Sequence, residues 1–362
     1  MRADHRTAAL RAKMRADGFA AVAVIDSINI AYLTGFEGVF DEERAHIAVI
    51  TNDRVALYTD NRYSEAAARE ASGSEWDVIA GPPDLVIAAC DGLIGAGVSA
   101  MALEDTVTQR VFEKFKESFK GEVSASRDLV ETLRTVKEPE EVARIAEAQA
   151  LTDSAFDHIL GVIEPGLTER EIALELEFFM RKAGSDGVAF PPIVASGPNS
   201  SLPHARVTDR RIAAGEFLKM DFGARVKGYC ADMTRTVVIG SASDRQREMY
   251  DAVLAANAAG AAAVSAGRGG REIDDAARNV LTERGLASLF THGLGHGVGM
   301  EVHELPGVGP RSEGPVPKGA VITIEPGVYE PGYGGVRIED LVVVEADGAR
   351  VLTRSPKHLI EL

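Results

Sequence analysis

Cysteine and tryptophan are nearly absent from this 362-residue chain, with two and one copies, and aromatic residues make up only 6 %. Cys90 and Cys230 lie far apart without metal-type spacing, which argues against a disulfide framework and for free buried thiols in a reducing compartment. Positive charge is also short: 39 Lys and Arg stand against 55 Asp and Glu, for a net charge of −16. So acidic a body disfavours non-specific binding to nucleic acid or anionic lipid. No stretch approaches the ~20 apolar residues of a membrane span. The N-terminal MRADHRTAALRAKMRADG is polar and lacks the apolar core of a signal peptide. These absences predict a cytoplasmic protein of enzyme size with neither nucleic-acid nor membrane partners.

The length suits two domains, each able to bury a core. Up to about residue 135, apolar runs at 20–25, 46–51, 55–59 and 99–104 alternate with the helical patterns RYSEAAAREA, LVIAACDGLI and QRVFEKFKESF. That alternation predicts an α/β layer arrangement. A long amphipathic helix then starts near Glu138–Pro139, where proline suits a first helical turn beside acidic neighbours. The domain boundary is expected just before it, at 136/137. Beyond it a coarse period appears: helices at 139–163 and 168–184 precede a strand pair around 216–239, and helices at 244–266 and 270–285 precede another around 320–344. Two similar halves of an α+β domain are expected, each supplying a hairpin that carries acids.

The acids interrupt apolar strands. In FLKMDFGARVKGYCADMTRTVVI (217–239), a turn centred between Val226 and Lys227 would set Asp221 opposite Asp232, with Cβ atoms ~5 Å apart. In VITIEPGVYEPGYGGVRIEDLVVVE (321–345), Glu325 and Glu339 come close to opposite across the turn Glu330–Gly335. Opposed buried carboxylates are costly, and a cation is the usual remedy. One such pair could be solvated; two in core-type hairpins are hard to read that way. Between them, THGLGHGVGMEVHE (291–304) holds His292, His296 and His303 among glycines too dense for a regular helix, so a glycine-rich turn is expected. A lone core histidine is more often structural; three in twelve residues among glycines point to function. Four carboxylates and an imidazole suit two hard or borderline divalent ions. Such a pair can deprotonate a water and polarise a carbonyl, as amide hydrolysis requires.

With these residues in view, the chain resembles the pita-bread metallopeptidases, in the Xaa-Pro branch that holds prolidase and aminopeptidase P. DSINIAYLTGF and YTDNRYSEAA resemble the N-terminal domain of that branch. MDFGARVKGYCADMTRT, THGLGHGVGMEVHE, TIEPGVY and GVRIEDLVVV resemble its catalytic motifs, in order. The resemblance implies a creatinase/prolidase-like α/β domain over 1–136 and an α+β catalytic domain of pita-bread (creatinase/aminopeptidase) fold over 137–362. It also implies two divalent ions, manganese first and cobalt, zinc or iron as alternatives, a homodimer, and proline-containing peptides as substrates cleaved at the Xaa-Pro bond by a metal-bridging hydroxide.

Carried onto this sequence, the resemblance makes Asp221 a ligand of one ion, Asp232 and Glu339 bridging ligands, and His296 and Glu325 the remaining ligands of the other. Glu325 would also shuttle the proton. His303 would hydrogen-bond the substrate carbonyl, and His204 in SSLPHAR would stabilise the intermediate and the leaving nitrogen. His292 would line the substrate pocket. Arg337, which shares a strand face with Glu339, would orient carboxylates or the hydrolytic water.

Three other readings compete. A creatinase-like amidinohydrolase keeps the fold but lacks the ligands, all five of which stand here. Methionine aminopeptidases usually lack so long an N-terminal domain. A metal-free, peptidase-like binding protein would be signalled by lost ligands. Dipeptidase and aminopeptidase stay open: Arg311 is a candidate partner for a substrate carboxylate, but Gly307 stands where some prolidases offer an arginine.

Overall fold

Apolar runs with no polar alternation form strands covered on both faces, and three of them make the centre of the first sheet. The computed structural model describes residues 3–41, 43 and 45–362. The chain divides into two compact units, Met1–Arg134 and Thr135–Leu362. In the first, β1 (Ala21–Val24), β2 (His46–Thr51), β3 (Val55–Thr59), β4 (Trp76–Ala80), β5 (Ala100–Glu104) and β6 (Glu122–Ser126) form one mixed sheet in the order β4-β3-β2-β1-β5-β6. The β1–β2 and β2–β3 pairs are antiparallel and the outer pairs parallel. Helices α1 (Ala3–Ala16), α2 (Ser27–Thr34), α3 (Ser64–Ala71), α4 (Leu85–Gly95), α5 (Gln109–Ser118) and α6 (Glu131–Arg134) complete it.

Four strands match the apolar runs of the sequence. The edge strands β4 and β6 do not: WDVIA and EVSAS leave much of their surface uncovered and carry too few apolar residues to stand out. Helix α1 is charged along its length yet buries Leu10 and Met14. Asp26 opens α2 by accepting from Ile28 N and Asn29 N. Cys90 and Cys230 are buried free thiols, as expected.

In the second unit, α7 (Pro139–Leu160) and α8 (Glu169–Lys182) precede β7 (Gly187–Val188), β8 (Ile193–Ser196), β9 (Phe217–Phe222), β10 (Ala224–Val226), β11 (Tyr229–Cys230) and β12 (Met233–Val238). Then α9 (Asp244–Ala263) and α10 (Gly270–Glu283) precede β13 (Gly295–Gly297), β14 (Glu304–Val308), β15 (Val321–Ile324), β16 (Gly327–Glu330), β17 (Gly334–Arg337), β18 (Asp340–Glu345) and β19 (Gly348–Val351). Each half has its own core. Phe156, Ile172 and Leu176 pack on Leu218, Met220 and Val237 in one. Val253, Ile273 and Leu281 pack with Ile322, Ile324 and Val342 in the other. The helix-pair, strand-pair period of the sequence is real at this level.

The register of the first acid hairpin differs from expectation. Strands β9 and β12 pair Asp221 with Thr234, and β10 and β11 pair Val226 with Tyr229. The turn therefore centres on Lys227 and Gly228, both at positive φ (49° and 79°). A two-residue turn of this kind needs two left-handed positions, and glycine takes the second at no steric cost. Asp232 thus sits diagonal to Asp221, two residues before its partner on the same strand face.

In the second hairpin, Ile324 pairs with Asp340 and Gly327 with Arg337. The same register sets Glu325 against Glu339 in the unpaired step between the two ladders. The histidine segment also differs from expectation: residues 295–297 form a strand, not a turn. It lies between β14 and β15. A Cβ on Gly295 would meet Thr323 O at 2.0 Å, and one on Gly297 would meet Leu305 O at 2.2 Å.

Candidate metal centre

Five elements deliver the acids and histidine. Asp221 comes from β9, Asp232 from the residue before β12, and His296 from the middle of β13. Glu325 and Glu339 come from the break between β15/β18 and β16/β17. All five line one cleft of about 330 Å³, together with His204, His292, His303 and Arg337. Every site residue singled out in the sequence, apart from the candidate carboxylate partner Arg311, lines this cleft. Arg311 does not line it and is exposed.

Asp221, Asp232 and Glu339 are 6 %, 4 % and 2 % exposed. Burial, then the charges of Glu339, Asp221 and Glu325, pushes Asp232 well above the usual carboxylate range. Burial, then Glu325 and Asp221, lifts Glu339 to about 8. Asp221 is also raised by burial, against the pull of Arg337. Burial pushes Glu325 up as well, but the hydrogen bond and charge of His296 outweigh it and hold Glu325 at about 2. His296 is raised in turn, burial being outweighed by Glu325 and Glu339.

Each of the three most buried acids keeps one oxygen without a hydrogen-bond partner: Asp221 Oδ1, Asp232 Oδ1 and Glu339 Oε1. Ligand atoms of Asp232, His296 and Glu339 all lie within 4.8 Å of one another. His296 donates through Nδ1 to Gly297 O at 3.1 Å. That bond leaves Nε2 aimed at the acids, 3.2 Å from Glu325 Oε1 and 3.7 Å from Asp232 Oδ2. Buried, unpartnered anionic oxygens converging beside one imidazole fit divalent cations of hard or borderline character.

Arg337 holds the surroundings together. It donates to Asp221 Oδ2 (2.5 Å), Thr234 Oγ1 (2.8 Å), Tyr329 Oη (3.0 Å) and Pro203 O (3.1 Å). Thr234 Oγ1 in turn donates to Glu339 Oε2 at 2.7 Å. Arg337 therefore touches Asp221 from the other half of the unit and reaches Glu339 through Thr234, a wider role than a shared strand face implied. Thr323 Oγ1 likewise donates to Glu325 Oε1, and it accepts from the His296 amide, at 3.1 Å each.

His292 donates through Nδ1 to Gly293 O (2.8 Å) and accepts at Nε2 from Tyr329 Oη (2.9 Å). Burial holds its pKa down, so the neutral ring fits this pattern. The His303 ring lies 4.3 Å from that of His296. Phe190, Ile193 and Val302 add apolar walls.

Sequence reasoning passed over Thr234, Thr323 and Tyr329. Tyr329 had a signal, lying four residues after Glu325 in TIEPGVY. Phe190 and Ile193 had none, since they lie outside every motif.

A carboxylate-rich cation centre on a duplicated helix-and-sheet unit defines a metallohydrolase. Residues 143–346 match the metallopeptidase family M24, and residues 6–136 match the creatinase/prolidase N-terminal domain. The chain belongs to metallopeptidase family M24, with the pita-bread fold of its Xaa-Pro branch.

It is 40 % identical to an uncharacterized peptidase of Bacillus subtilis, over 95 % of this chain and 96 % of that one. A solved Xaa-Pro dipeptidase from Bacillus anthracis is similar at 38 % identity and TM-score 0.95, covering 99 % of this chain and 100 % of its own. An X-Pro aminopeptidase from Thermotoga maritima is similar at 33 % identity and TM-score 0.88, covering 97 % and 100 %. Among the described residues, no helix is long and apolar enough to cross a membrane.

Proposed function

We propose that the chain is a dinuclear Xaa-Pro peptidase, acting on dipeptides or on the N-termini of longer peptides. The observation that carries this reading is the convergence of three unpartnered carboxylate oxygens and His296 Nε2 on one cleft of an M24 chain. Asp221 would hold one divalent ion, Asp232 and Glu339 both, and His296 and Glu325 the other. When bound, two such ions, manganese before cobalt, zinc or iron, supply an acidified water and a Lewis acid for the scissile carbonyl.

Glu325 takes the proton of the attacking water and returns it to the proline nitrogen, which as a tertiary amide has no hydrogen of its own. His303 donates to the substrate carbonyl oxygen, and His204 stabilises the charge that develops there and at the leaving nitrogen. His292 and Arg337 frame the pocket, with the apolar walls of Phe190, Ile193 and Val302 suited to a proline ring. Residues 1–136 act as the N-terminal domain and 137–362 as the catalytic domain of a cytoplasmic homodimer. The intact set of five ligands speaks against a creatinase-like amidinohydrolase and against a metal-free binding protein.

The test is hydrolysis of Ala-Pro, Ala-Pro-Ala and Ala-Ala by protein stripped with EDTA and reloaded with Mn²⁺. Cleavage before proline, absent after stripping and restored by metal, is expected. The ratio of the two proline substrates decides between dipeptidase and aminopeptidase. A protein inert on both after loading with manganese, cobalt, zinc and iron in turn sinks the proposal.

A further inference from the structure

Asn257 is wholly buried in the middle of α9, within the alanine-rich stretch LAANAAGAAA. Asparagine is a poor helix former, and an apolar residue would suit this core better. All of its polar atoms are used. Nδ2 donates to Ile324 O at 2.9 Å and to Ile338 O at 3.2 Å, and Oδ1 accepts from Lys357 Nζ at 2.9 Å. Those two carbonyls belong to the residues immediately before Glu325 and Glu339.

The reason they need a donor lies in the interrupted ladder. In this register Ile338 faces Pro326, whose nitrogen has no hydrogen to offer the Ile338 carbonyl in return. The amides of Glu325 and Glu339 point outward instead, Glu325 N donating to Leu294 O at 2.8 Å and Glu339 N to Thr234 O at 3.1 Å. The strands part at this step, and buried carbonyls left behind must find another partner.

The network continues from Asn257. Lys357 Nζ also donates to Asp340 Oδ2 at 2.6 Å, and Asp340 Oδ1 accepts from Arg235 Nη2 at 2.9 Å. Arg235 Nη1 donates to Glu339 O at 2.5 Å. A closed run of contacts therefore leaves the carbonyl before one glutamate and returns to the carbonyl of the other, on the side of the strands away from the cleft.

We propose that Asn257, braced by Lys357, Asp340 and Arg235, is a positioning residue that sets the spacing of Glu325 and Glu339 and thereby the centre's affinity for divalent cations. The inference rests on the metal reading above. Asn257 touches no cleft atom; it acts through the backbone of the two strands. Outer contacts that orient ligands typically change metal affinity 10- to 100-fold when removed.

The full-length chain, stripped with EDTA, is titrated with Co²⁺ and followed by its visible d–d absorption. The variants are N257D, which keeps shape and the acceptor for Lys357 but loses the donor to both carbonyls, and K357M, which keeps the stem of a partly exposed lysine. Both are expected to bind Co²⁺ about 10- to 100-fold more weakly, with shifted bands, while circular dichroism of the stripped proteins stays that of wild type. A folded variant of either kind with wild-type affinity and wild-type bands overturns the proposal. If N257D does not fold, K357M carries the same comparison. Wild-type protein that takes up no Co²⁺ overturns the metal reading itself, so the two failures are distinguishable.

Discussion

Arg337 and Asp221 form a buried ion pair, Nη2 to Oδ2 at 2.5 Å, with side chains 3 % and 9 % exposed. The same guanidinium reaches Thr234, Tyr329 and the Pro203 carbonyl, so four acceptors converge on one rigid fork. A lysine supplies the charge without the fork. Both R337K and R337M are therefore expected to lose on the order of 10- to 100-fold in kcat/KM with Mn²⁺ loaded. Steady-state kinetics on Ala-Pro check this, and a near-normal R337K shows that charge alone suffices.

Removing the metal should leave a protein that dislikes rising pH. Glu339 sits at about 8 against an ordinary 4.5, and Asp232 is raised as well. The folded metal-free chain therefore binds more protons than the unfolded one between about pH 4.5 and 8, and stability falls as pH rises through that window. His296, also raised, adds in the same direction above its ordinary 6.5. Glu325, lowered to about 2, acts in a separate window, adding stability as pH rises from about 2 to 4.5. The combined loss from pH 5 to 8 is on the order of a few kcal/mol, read as a fall of several degrees in the Tm of EDTA-treated protein. Binding to deprotonated ligands makes metal stabilisation grow with pH. A flat Tm profile without metal contradicts the electrostatic account.

Gly295 leaves no room for a side chain. A methyl there would lie 2.0 Å from the Thr323 carbonyl oxygen, which belongs to the neighbouring strand and has little freedom to yield. G295A is expected to cost about 1–3 kcal/mol or more and, by displacing His296, to weaken metal binding. A Cβ added at Gly348 would meet nothing within 4 Å, so G348A serves as a control with near-normal stability and activity. Thermal melts and Co²⁺ titration compare the two.

Much of the centre was legible because acids that interrupt apolar strands are rare and need a local reason. Asp221, Asp232, Glu325 and Glu339 could be picked out on that ground alone, and the glycine-flanked His296 by its company. His292 and His303 stood out in the same glycine-rich segment, and the family resemblance supplied their roles and the names of His204 and Arg337. Register was harder. The first hairpin slipped because a turn's centre depends on which two residues accept positive φ, and Lys227 with Gly228 did so where Val226 with Lys227 was expected. The edge strands β4 and β6 escaped notice because a half-covered strand needs few apolar residues.

The linear order of residues determined which side chains could be acids on buried strands, where helices begin, and that the catalytic unit repeats its helix-pair, strand-pair pattern. Those are local properties, set by side-chain periodicity, capping and turn chemistry over a few residues. Only the tertiary structure decided that Arg337 meets Asp221, that Tyr329 meets His292, and that Asn257 bridges the strands of Glu325 and Glu339. Such contacts join segments 37 to 116 residues apart. They depend on how sheets diverge and which buried carbonyls that divergence strands, and no spacing along the chain encodes it.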